Sequence, residues 1–290
     1  MNPVPASLRE LLAGVVDYAG LFPPAQLSMA EAVREYAEQR HGADSWALAR
    51  FVVPAVRLDE LGAEAGEPTP NWRLSALIGD AEREIPLVER FNLRHAAHVI
   101  ADTLEVRLAT PVAIRSLAGP LGEYESYVEV PVADDPAELI EAIADAGLMA
   151  KIRTGGLTAD AFPTSAQVAR FIERCVEFDV SFKATAGLHH PMRGEYPLSY
   201  APDAARGTMF GFLNVFLAAA LLRDGGSTEE ATRLLDERDA KSIVVTDDEI
   251  TWRGHQFPVD SLQEARIQVT GFGSCSFSEP LQDLRALGLL

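Results

Sequence analysis

Short apolar runs alternate with amphipathic segments along most of the 290-residue chain. Runs of apolar or β-branched residues bounded by glycine, proline or acidic residues predict strands, and apolar positions three and four residues apart predict helices. The predicted strands lie near 15–18, 46–53, 72–79, 103–108, 126–132, 148–154, 180–186 and 267–272. Helical periodicity fills most of the gaps, as in 29–39, 136–146, 164–178 and 278–287.

This alternation predicts the fold class. Strands that alternate with helices form parallel sheets, and eight such units can close into a barrel. We therefore predict an α/β protein with a (β/α)8 TIM-type barrel, and an open doubly wound sheet is the alternative. A length of 290 residues suits one barrel, so we expect a single domain over 1–290.

The segment 188–265 is longer than one barrel unit requires. It contains one or two helical stretches, and then Ile243-Val-Val-Thr and Glu249-Ile-Thr-Trp flank Asp247-Asp248 as in a hairpin. We predict an inserted helix and hairpin segment after the seventh strand, which decorates the barrel and is not a second domain. The segment 62–70 has two glycines and two prolines and predicts a surface loop.

Charged residues occupy one face of four consecutive predicted strands. Successive side chains of a strand point to opposite faces, so one face meets the helices and the other lines the barrel interior. The helix-facing side is apolar, as Leu104, Val106 and Leu108 illustrate. The interior side carries Glu105 and Arg107, then Glu129, then Lys151 and Arg153, then Lys183.

Charges inside a barrel are costly unless they are paired or functional, so this cluster indicates an active site. Four cations stand against two carboxylates, which predicts a positive cavity and a small anionic substrate such as a phosphate or carboxylate. Two structural alternatives stay open. The charged faces would meet water in an open antiparallel sheet, or the charges would form internal salt bridges.

The chain as a whole is acidic, with a formal net charge of −18, which disfavours nucleic acid as a partner. No apolar run reaches the length of a membrane span, and the first residues lack the pattern of a secretory signal. Cys175 and Cys275 have neither metal-ligand nor disulfide spacing. These features favour a cytoplasmic protein without a membrane partner, and they leave a homo-oligomer open.

Two lysines hold equivalent positions in adjacent predicted strands, in Lys151-Ile-Arg-Thr-Gly155 and Lys183-Ala-Thr-Ala-Gly187. Neighbouring strands lie about 4.8 Å apart, so the two amines should lie close together. A second cation and desolvation both lower the pKa of an ammonium group and free an amine to attack a carbonyl, as in Schiff-base lysines. Alternatively, Glu129 pairs with Lys151, which then acts as an electrostatic clamp.

These two strands resemble the sixth and seventh strands of deoxyribose-phosphate aldolase and related class I aldolases, which carry Lys-x-x-Thr-Gly and Lys-Ala-x-x-Gly. Gly271-Phe-Gly-Ser-Cys-Ser-Phe277 is similar to their glycine and serine turn after the eighth strand, which helps to hold phosphate. The resemblance implies that Lys151 forms the imine and Lys183 assists it. Glu105, Glu129 and Asp102 are candidates for the acidic proton-shuttle residue, and we assign Glu129. Segments 17–25 and 182–191 also resemble an uncharacterised bacterial family, a likeness that implies no activity.

Further residues are expected to bind substrate near the mouth of the barrel. Asp17 and Tyr18 end the first strand, and His189 and His190 follow the seventh strand, on the face where barrel active sites lie. The strand faces contribute Arg153, Arg107 and Glu105, and the turns after the last two strands contribute Gly187, Gly271, Gly273 and Ser274. These turns predict a backbone-lined anion pocket beside Arg153. Cys275 has no histidine near it in the sequence and receives no role.

Three functions fit these features. The leading one is a class I aldolase-like lyase that acts through a lysine Schiff base on a small anionic carbonyl compound, without cofactor or metal. The first alternative is a metal-dependent barrel lyase or isomerase, in which Glu105, Glu129 and a histidine hold the ion and a lysine is the base. The second is a non-catalytic barrel that binds a small anion or a protein partner.

Overall fold

The computed structural model describes residues 3–66, 71–95 and 97–290. Its strands are β1 (Val16–Tyr18), β2 (Leu48–Pro54), β3 (Trp72–Ile78), β4 (Val99–Arg107), β5 (Glu125–Glu129), β6 (Met149–Arg153), β7 (Phe182–Thr185), β8 (Gly194–Pro197), β9 (Arg206–Met209), β10 (Ile243–Val245), β11 (Glu249–Trp252), β12 (His255–Pro258) and β13 (Val269–Ser274). Its helices are α1 (Ala6–Leu12), α2 (Met29–His41), α3 (Leu58–Ala65), α4 (Ala81–His95), α5 (Pro111–Leu121), α6 (Ala137–Asp145), α7 (Ser165–Glu177), α8 (Phe212–Arg223), α9 (Thr228–Leu235), α10 (Val259–Gln268) and α11 (Ser278–Ala286). Within the described residues, no helix is both long enough and apolar enough to cross a membrane.

Eight parallel strands close into a barrel. The order around it is β1 to β7 and then β13, which pairs with both β7 and β1. Each predicted strand overlaps one of these eight, and helices lie between most of them. The prediction of a (β/α)8 TIM-type barrel is confirmed, and the alternative of an open sheet is wrong.

Helices α2, α7 and α9 begin at capping boxes that the sequence encodes. At α2, the Ser28 hydroxyl accepts a hydrogen bond from the backbone N–H of Glu31, and the Glu31 carboxylate accepts one from the backbone N–H of Ser28. The same exchange joins Thr164 with Gln167 and Ser227 with Glu230. Each exchange satisfies two backbone donors that a helix start leaves free, so these helices begin at defined residues.

The barrel strands bury their apolar side chains as the alternation predicts. Leu104 and Val106 of β4 and Ala150 and Ile152 of β6 are buried in the main hydrophobic core. Cys175 of α7 is fully buried in the same core, and burial raises the pKa of its thiol well above the usual range. The packing of helices on strands therefore fixes which face of each strand meets the interior.

The long segment between β7 and β13 wraps the seventh unit of the barrel. Helix α8 is buried from Phe212 to Leu222, because α7, α9 and α10 all pack against it. The predicted hairpin is present as β10 and β11, whose turn contains Asp247 and Asp248, and β12 completes a three-stranded antiparallel sheet. A second hairpin, β8 with β9, has no counterpart in the sequence prediction.

The predicted surface loop at 62–70 is wrong for its first residues. Helix α3 continues to Ala65, with Leu58 and Leu61 buried where α3 packs against α2 and α4. This apolar contact outweighs the low helix propensity of Gly62. Residues 67–70 lie outside the described residues.

Candidate active site

The charged faces of β4 to β7 meet inside the barrel because these strands are neighbours. Glu129 stands opposite Lys151 across β5 and β6, and Lys151 stands opposite Lys183 across β6 and β7. Side chains at paired positions of parallel strands lie on the same face of the sheet. Glu105, Glu129, Lys151 and Lys183 are all buried. The barrel thus brings the four predicted charged residues into one cluster.

A carboxylate stands between the two lysines. Glu105 Oε1 lies 2.6 Å from Lys183 Nζ, and Glu105 Oε2 lies 2.7 Å from Lys151 Nζ. Lys151 Nζ also lies 3.0 Å from Glu129 Oε2, and Lys183 donates a hydrogen bond to Asp17 Oδ2. Each ammonium group therefore contacts two carboxylates. We call these five residues the floor cluster: Asp17, Glu105, Glu129, Lys151 and Lys183.

Neighbouring strands hold the carboxylates of the floor cluster in place. Ser75 Oγ of β3 donates to Glu105 Oε1 at 2.7 Å, and the backbone N–H of Arg50 in β2 donates to Asp17 Oδ1 at 3.0 Å. Buried charges are costly unless they are paired and hydrogen-bonded. These donors satisfy carboxylate oxygens that the lysines do not saturate, and they fix the carboxylate orientations.

The pairing sets the charge states of two members of the cluster. Burial lowers the pKa of Lys183, but the carboxylates of Asp17 and Glu105 outweigh burial and raise it above its usual value of 10.5. Burial likewise raises the pKa of Glu105, but Lys151 and Lys183 outweigh it and hold that pKa well below 4.5. Lys183 and Glu105 are therefore both charged at neutral pH.

These contacts contradict the predicted activation of one lysine by the charge of the other. The strand pattern predicted that the two ammonium groups face each other, whereas Glu105 lies between them. The predicted excess of positive charge is also wrong for the buried interior. Two ammonium groups meet the three carboxylates of Asp17, Glu105 and Glu129, which leaves one negative charge in excess.

The reason for this difference is that Asp17 reaches the centre of the barrel. Strand β13 lies between β1 and β7, and its positions in register with Lys183 and Thr185 are Gly271 and Gly273. Asp17 contacts Lys183 across β13, and neither of these positions carries a side chain. The alternation along β1 alone does not reveal this contact, because β1 and β7 are not neighbouring strands.

A cavity of about 260 Å³ opens above the floor cluster. Glu105, Lys151 and Lys183 lie at its base, and its other lining residues mostly follow the C-terminal ends of β1, β6, β7 and β13. Its apolar wall includes Phe22, Pro23, Pro24, Leu157, Leu198 and Met209. A small cavity with apolar walls and a few convergent polar groups, at this end of a barrel, is typical of a small-molecule site.

Most of the predicted substrate-binding residues lie at this cavity. It is lined by Glu105, Arg153, Gly187, His189, His190 and Gly273. Ser274 stands just behind the lining, with Oγ 3.2 Å from His189 Nδ1. Asp17 and Glu129 contact the lysines at the base.

Three predicted residues lie outside the cavity. Tyr18 packs among aromatic rings and donates to Glu35 at 2.8 Å, because it projects from the opposite face of β1. Arg107 is exposed, because it is the last residue of β4 and lies beyond the packed interior. Gly271 fits tightly against β1: a Cβ there would lie 2.8 Å from the carbonyl oxygen of Val15. Its lack of a side chain serves strand packing.

The turn after β7 has an unusual backbone at the edge of the cavity. Ala186 and Gly187 have positive φ angles of 65° and 75°, and such values are uncommon for residues other than glycine. Thr154 Oγ1 holds this turn by donating to the carbonyl oxygen of Ala186 at 2.7 Å. Thr154, which is buried and directly follows β6, thus fixes the chain as it leaves β7 and turns towards His189.

Four polar side chains form one side of the cavity entrance, and we call them the mouth wall: His189, Tyr200, Cys275 and Glu279. His189 Nδ1 lies 3.5 Å from Glu279 Oε2 and 3.9 Å from Cys275 Sγ. The Tyr200 hydroxyl donates to Glu279 Oε2 at 3.1 Å. Burial, aided by the nearby charge of His190, lowers the pKa of His189 to about 4, so its imidazole is neutral at neutral pH.

Sequence reasoning missed most of the mouth wall. Tyr200 lies between β8 and β9, and Glu279 lies in the first turn of α11, so neither belongs to a strand pattern. Cys275 received no role, yet His189 is its neighbour in space. One usable signal existed: Gly273 and Ser274 predict a turn at the mouth, so the helix that begins just after them presents its first turn there.

His190 has a different environment from His189. Its Nδ1 lies 2.5 Å from Asp283 Oδ2, and its ring stacks on Tyr196 of β8 with centroids 3.5 Å apart. Adjacent residues of an extended segment point in different directions, so only one histidine joins the mouth wall. His190 anchors the β8–β9 hairpin to α11, although part of it also lines the cavity.

Two of the three lysines of the chain belong to the floor cluster. The chain has three lysines and 22 arginines, and Lys241 is the exposed lysine outside the barrel. An arginine stays protonated in proteins and holds charge as well as lysine does, whereas a lysine amine can also form an imine. Lysine, the residue whose amine can form an imine, therefore occurs mainly in the floor cluster, where its Nζ atoms contact buried carboxylates.

The carboxylates of the floor cluster are engaged by ammonium groups. Glu105 and Glu129, which the metal-dependent alternative would use as ligands, both contact Lys151. In the part of the chain that the structure describes, no group of three or more histidine, cysteine, aspartate or glutamate side chains is placed to hold a metal ion.

Comparison with known proteins yields one structural similarity to report. No family model and no curated protein matches the chain. Among solved structures, the chain is similar to one described as "QR15, an Aldolase", at 12% sequence identity over 62% of this chain and 83% of that chain. The TM-score of that similarity is 0.43. A likeness of this extent carries no argument about the chemistry of the site.

Proposed function

We propose that the protein is a carbon–carbon lyase of the class I aldolase type, in which Lys151 forms a Schiff base with a small carbonyl compound. The observation that supports this most directly is the position of Lys151, a buried amine at the base of the cavity between two carboxylates. Condensation of this amine with the carbonyl releases the carbonyl oxygen as water, and the protonated imine that results withdraws electrons from the bond between the α- and β-carbons. Cleavage of that bond leaves its electron pair as an enamine, while the β-hydroxyl gives its proton to the Glu129 carboxylate and becomes the carbonyl of the released product.

Lys151 must transfer its proton before it can attack a carbonyl, and Glu129 is the acceptor. Glu129 contacts Lys151 alone, whereas Glu105 is shared by both lysines. Moving the proton from Lys151 to Glu129 converts an ion pair into two neutral groups. A buried site of low dielectric constant favours that neutral state more than water does. The ion pair that would otherwise make Lys151 a clamp thus becomes a proton-transfer pair.

Lys183 keeps the other end of the cluster charged. Its raised pKa means that it stays an ammonium group and holds Glu105 ionised. The proton released by Lys151 therefore goes to Glu129 in preference to Glu105. Lys183 acts as a positioning residue for Glu105 and does not compete for the carbonyl.

Arg153 provides a site for one anionic group of the substrate. It lines the cavity, is exposed, and forms no ion pair with any residue that the structure describes. Lys151 and Lys183 are already engaged by carboxylates. A single carboxylate on a small carbonyl compound can therefore pair with Arg153 while its carbonyl meets Lys151.

Borohydride reduction in the presence of small aldehydes and keto acids tests this proposal. We expect a stable mass increase that is absent in Lys151→Arg, which keeps the charge but cannot form an imine, and that forms more slowly in Lys183→Arg. Lys241→Arg is the matched control and should behave as the unmodified protein. No adduct across a broad panel, together with an activity that chelators abolish, would favour the metal-dependent alternative. Anion binding without adduct or turnover would favour the non-catalytic alternative.

A further inference from the structure

We infer that the substrate is an unphosphorylated hydroxy-carbonyl compound whose hydroxyl group is bound by the mouth wall. The carbonyl end of this inference rests on the proposed function. The hydroxyl end rests on the arrangement of His189, Tyr200 and Glu279, which is independent of the lysine chemistry.

The position where barrels often bind phosphate is filled by the protein's own groups. Phosphate commonly binds between the loops after the last two strands and the N-terminus of a following helix. Here Ser276 Oγ accepts a hydrogen bond, at 3.2 Å, from the backbone N–H of Glu279 in the first turn of α11. Ser274 Oγ donates to the carbonyl oxygen of Ser276 at 2.6 Å. The hydroxyls and the helix donor that would hold a phosphate are thus already paired.

The charge at this side of the entrance also opposes a phosphate. Glu279 is half-buried, and burial raises the pKa of its carboxyl group. Asp283 lies one turn further along α11 and is paired with His190. A phosphate would bring up to two negative charges next to these carboxylates, and like charges in a partly buried site are unfavourable. Arg153, which rises from β6, can balance a single carboxylate elsewhere on the substrate.

The mouth wall instead suits an uncharged hydroxyl group. His189 Nδ1 lies 3.2 Å from Ser274 Oγ, and Nε2 at the other edge of the ring has no hydrogen-bond partner among the described residues. Because Ser274 gives its own proton to the carbonyl oxygen of Ser276, Nδ1 carries the proton and donates to Ser274 Oγ, which leaves Nε2 as an acceptor. The Tyr200 hydroxyl donates its one proton to Glu279, so its oxygen is a further acceptor at the mouth wall. A substrate hydroxyl brings a donor proton and no charge, so it can pair with His189 Nε2 or with the Tyr200 oxygen.

Equilibrium binding of three matched probes tests this inference: glyceraldehyde, propanal and glyceraldehyde 3-phosphate. Calorimetry on the full chain measures their affinities, and borohydride trapping of the same mixtures separately reports imine formation. We expect glyceraldehyde to bind at least about tenfold more tightly than propanal, since a hydrogen bond to a well-placed hydroxyl is worth about 1.4 kcal/mol. We expect glyceraldehyde 3-phosphate to bind more weakly than glyceraldehyde, because its phosphate meets the carboxylates of Glu279 and Asp283. Glyceraldehyde 3-phosphate binding as tightly as glyceraldehyde would overturn the inference.

Two substitutions of His189 test whether the preference for glyceraldehyde over propanal arises at the mouth wall. In His189→Asn the amide takes the place of Nδ1 and Nε2 is lost, so the preference for glyceraldehyde over propanal should fall to about twofold or less. In His189→Gln the amide reaches the position of Nε2, so part of the preference should return. His41→Asn, at an exposed histidine, is the control and should change nothing. Tyr200→Phe, at a half-exposed residue, should weaken the preference without depending on the fold around His189.

The outcomes separate this inference from the proposed function. A hydroxyl preference that disappears in His189→Asn, with no adduct at any lysine, would support the mouth wall and contradict the Schiff base. A Lys151 adduct that forms equally well with all three probes would support the Schiff base and contradict the inference. A preference that persists in both His189→Asn and Tyr200→Phe would place the hydroxyl elsewhere and overturn it as well.

Discussion

The floor cluster and the mouth wall line the same cavity but are built in different ways. The floor cluster consists of five charged side chains on barrel strands, four of them on the neighbouring strands β4 to β7, and every ammonium group contacts two carboxylates. The mouth wall consists of one neutral imidazole, a phenol, a thiol and a carboxylate, and loops or helix ends supply most of it. Buried charges need the rigid register of strands, whereas groups that select a substrate can lie on loops held by that scaffold.

This difference predicts that removal of one charged group destabilises the protein more in the floor cluster than in the mouth wall. Glu105→Gln removes the carboxylate that both lysines share and leaves two buried ammonium groups short of a partner. We expect the free energy of unfolding in urea to fall by about 3–5 kcal/mol. Glu60→Gln removes an exposed carboxylate paired with Arg57 and should cost about 1 kcal/mol or less. A cost for Glu105→Gln no larger than that of Glu60→Gln would mean that the floor is not held by its ion pairs.

The two regions should also respond to acid in different pH windows. The folded-state pKa of His189 is lowered to about 4 from 6.5, so the unfolded chain takes up its proton first as the pH falls. Stability that is present above pH 6.5 is therefore lost between 6.5 and about 4, by about 3 kcal/mol at most. Glu105 also has a lowered pKa, and its contribution is lost only below pH 4.5.

Urea unfolding at a series of pH values measures this separation. His189→Asn should flatten the decrease between pH 6.5 and 4 and leave the decrease below pH 4.5, whereas His41→Asn should alter neither. Towards high pH, the raised pKa of Lys183 keeps its contribution intact below 10.5 and removes it only as the pH rises through the higher folded-state value. An unchanged acid profile in His189→Asn would contradict the buried neutral imidazole.

Arg153 lines the cavity but belongs to neither region. It should contribute to the binding of an anionic ligand and not to the free energy of unfolding. Arg153→Met removes the exposed guanidinium at the cavity, so we expect glyoxylate to bind about tenfold more weakly or worse, since hydrogen bonds to charged groups are worth about 1.5–3 kcal/mol. Arg107→Met, at an exposed arginine outside the cavity, is the matched control. Calorimetric titration gives the affinities. Equal losses in both variants would show only a long-range effect of net charge.

Thr154, which holds the turn that leads from β7 to His189, should give a smaller change in stability than Glu105 when it is replaced. Thr154→Val removes the hydroxyl that holds the left-handed turn at Ala186 and keeps the size of the side chain. We expect a loss of about 1 kcal/mol in the free energy of unfolding, and Thr154→Ser should retain most of it. We also expect weaker glyceraldehyde binding in Thr154→Val, because the turn leads to His189. Unchanged stability and unchanged binding would mean that the turn holds its conformation without the threonine.

The same contrast explains what the sequence could predict. The barrel and four members of the floor cluster follow from strand alternation, because period-two patterns read directly onto the two faces of a strand. The contact between Asp17 and Lys183 could not be predicted, since it joins β1 to β7 across β13, a strand that lies far from β1 in the chain. Tyr200 could not be predicted either, because the β8–β9 hairpin that carries it has no strong pattern of its own.

Locating the reduced imine among the three lysines of the chain is the most direct test of the proposed chemistry. The protein is incubated with glyoxylate, reduced with borohydride, denatured and digested, and the peptides that contain Lys151, Lys183 and Lys241 are quantified by mass spectrometry. We expect the adduct on Lys151, with little on the buried ammonium of Lys183 and little on Lys241, which is exposed but has no activating carboxylate pair. An adduct found mainly on Lys241, or on no lysine while glyoxylate is still bound, would contradict a Schiff base at the floor of this barrel.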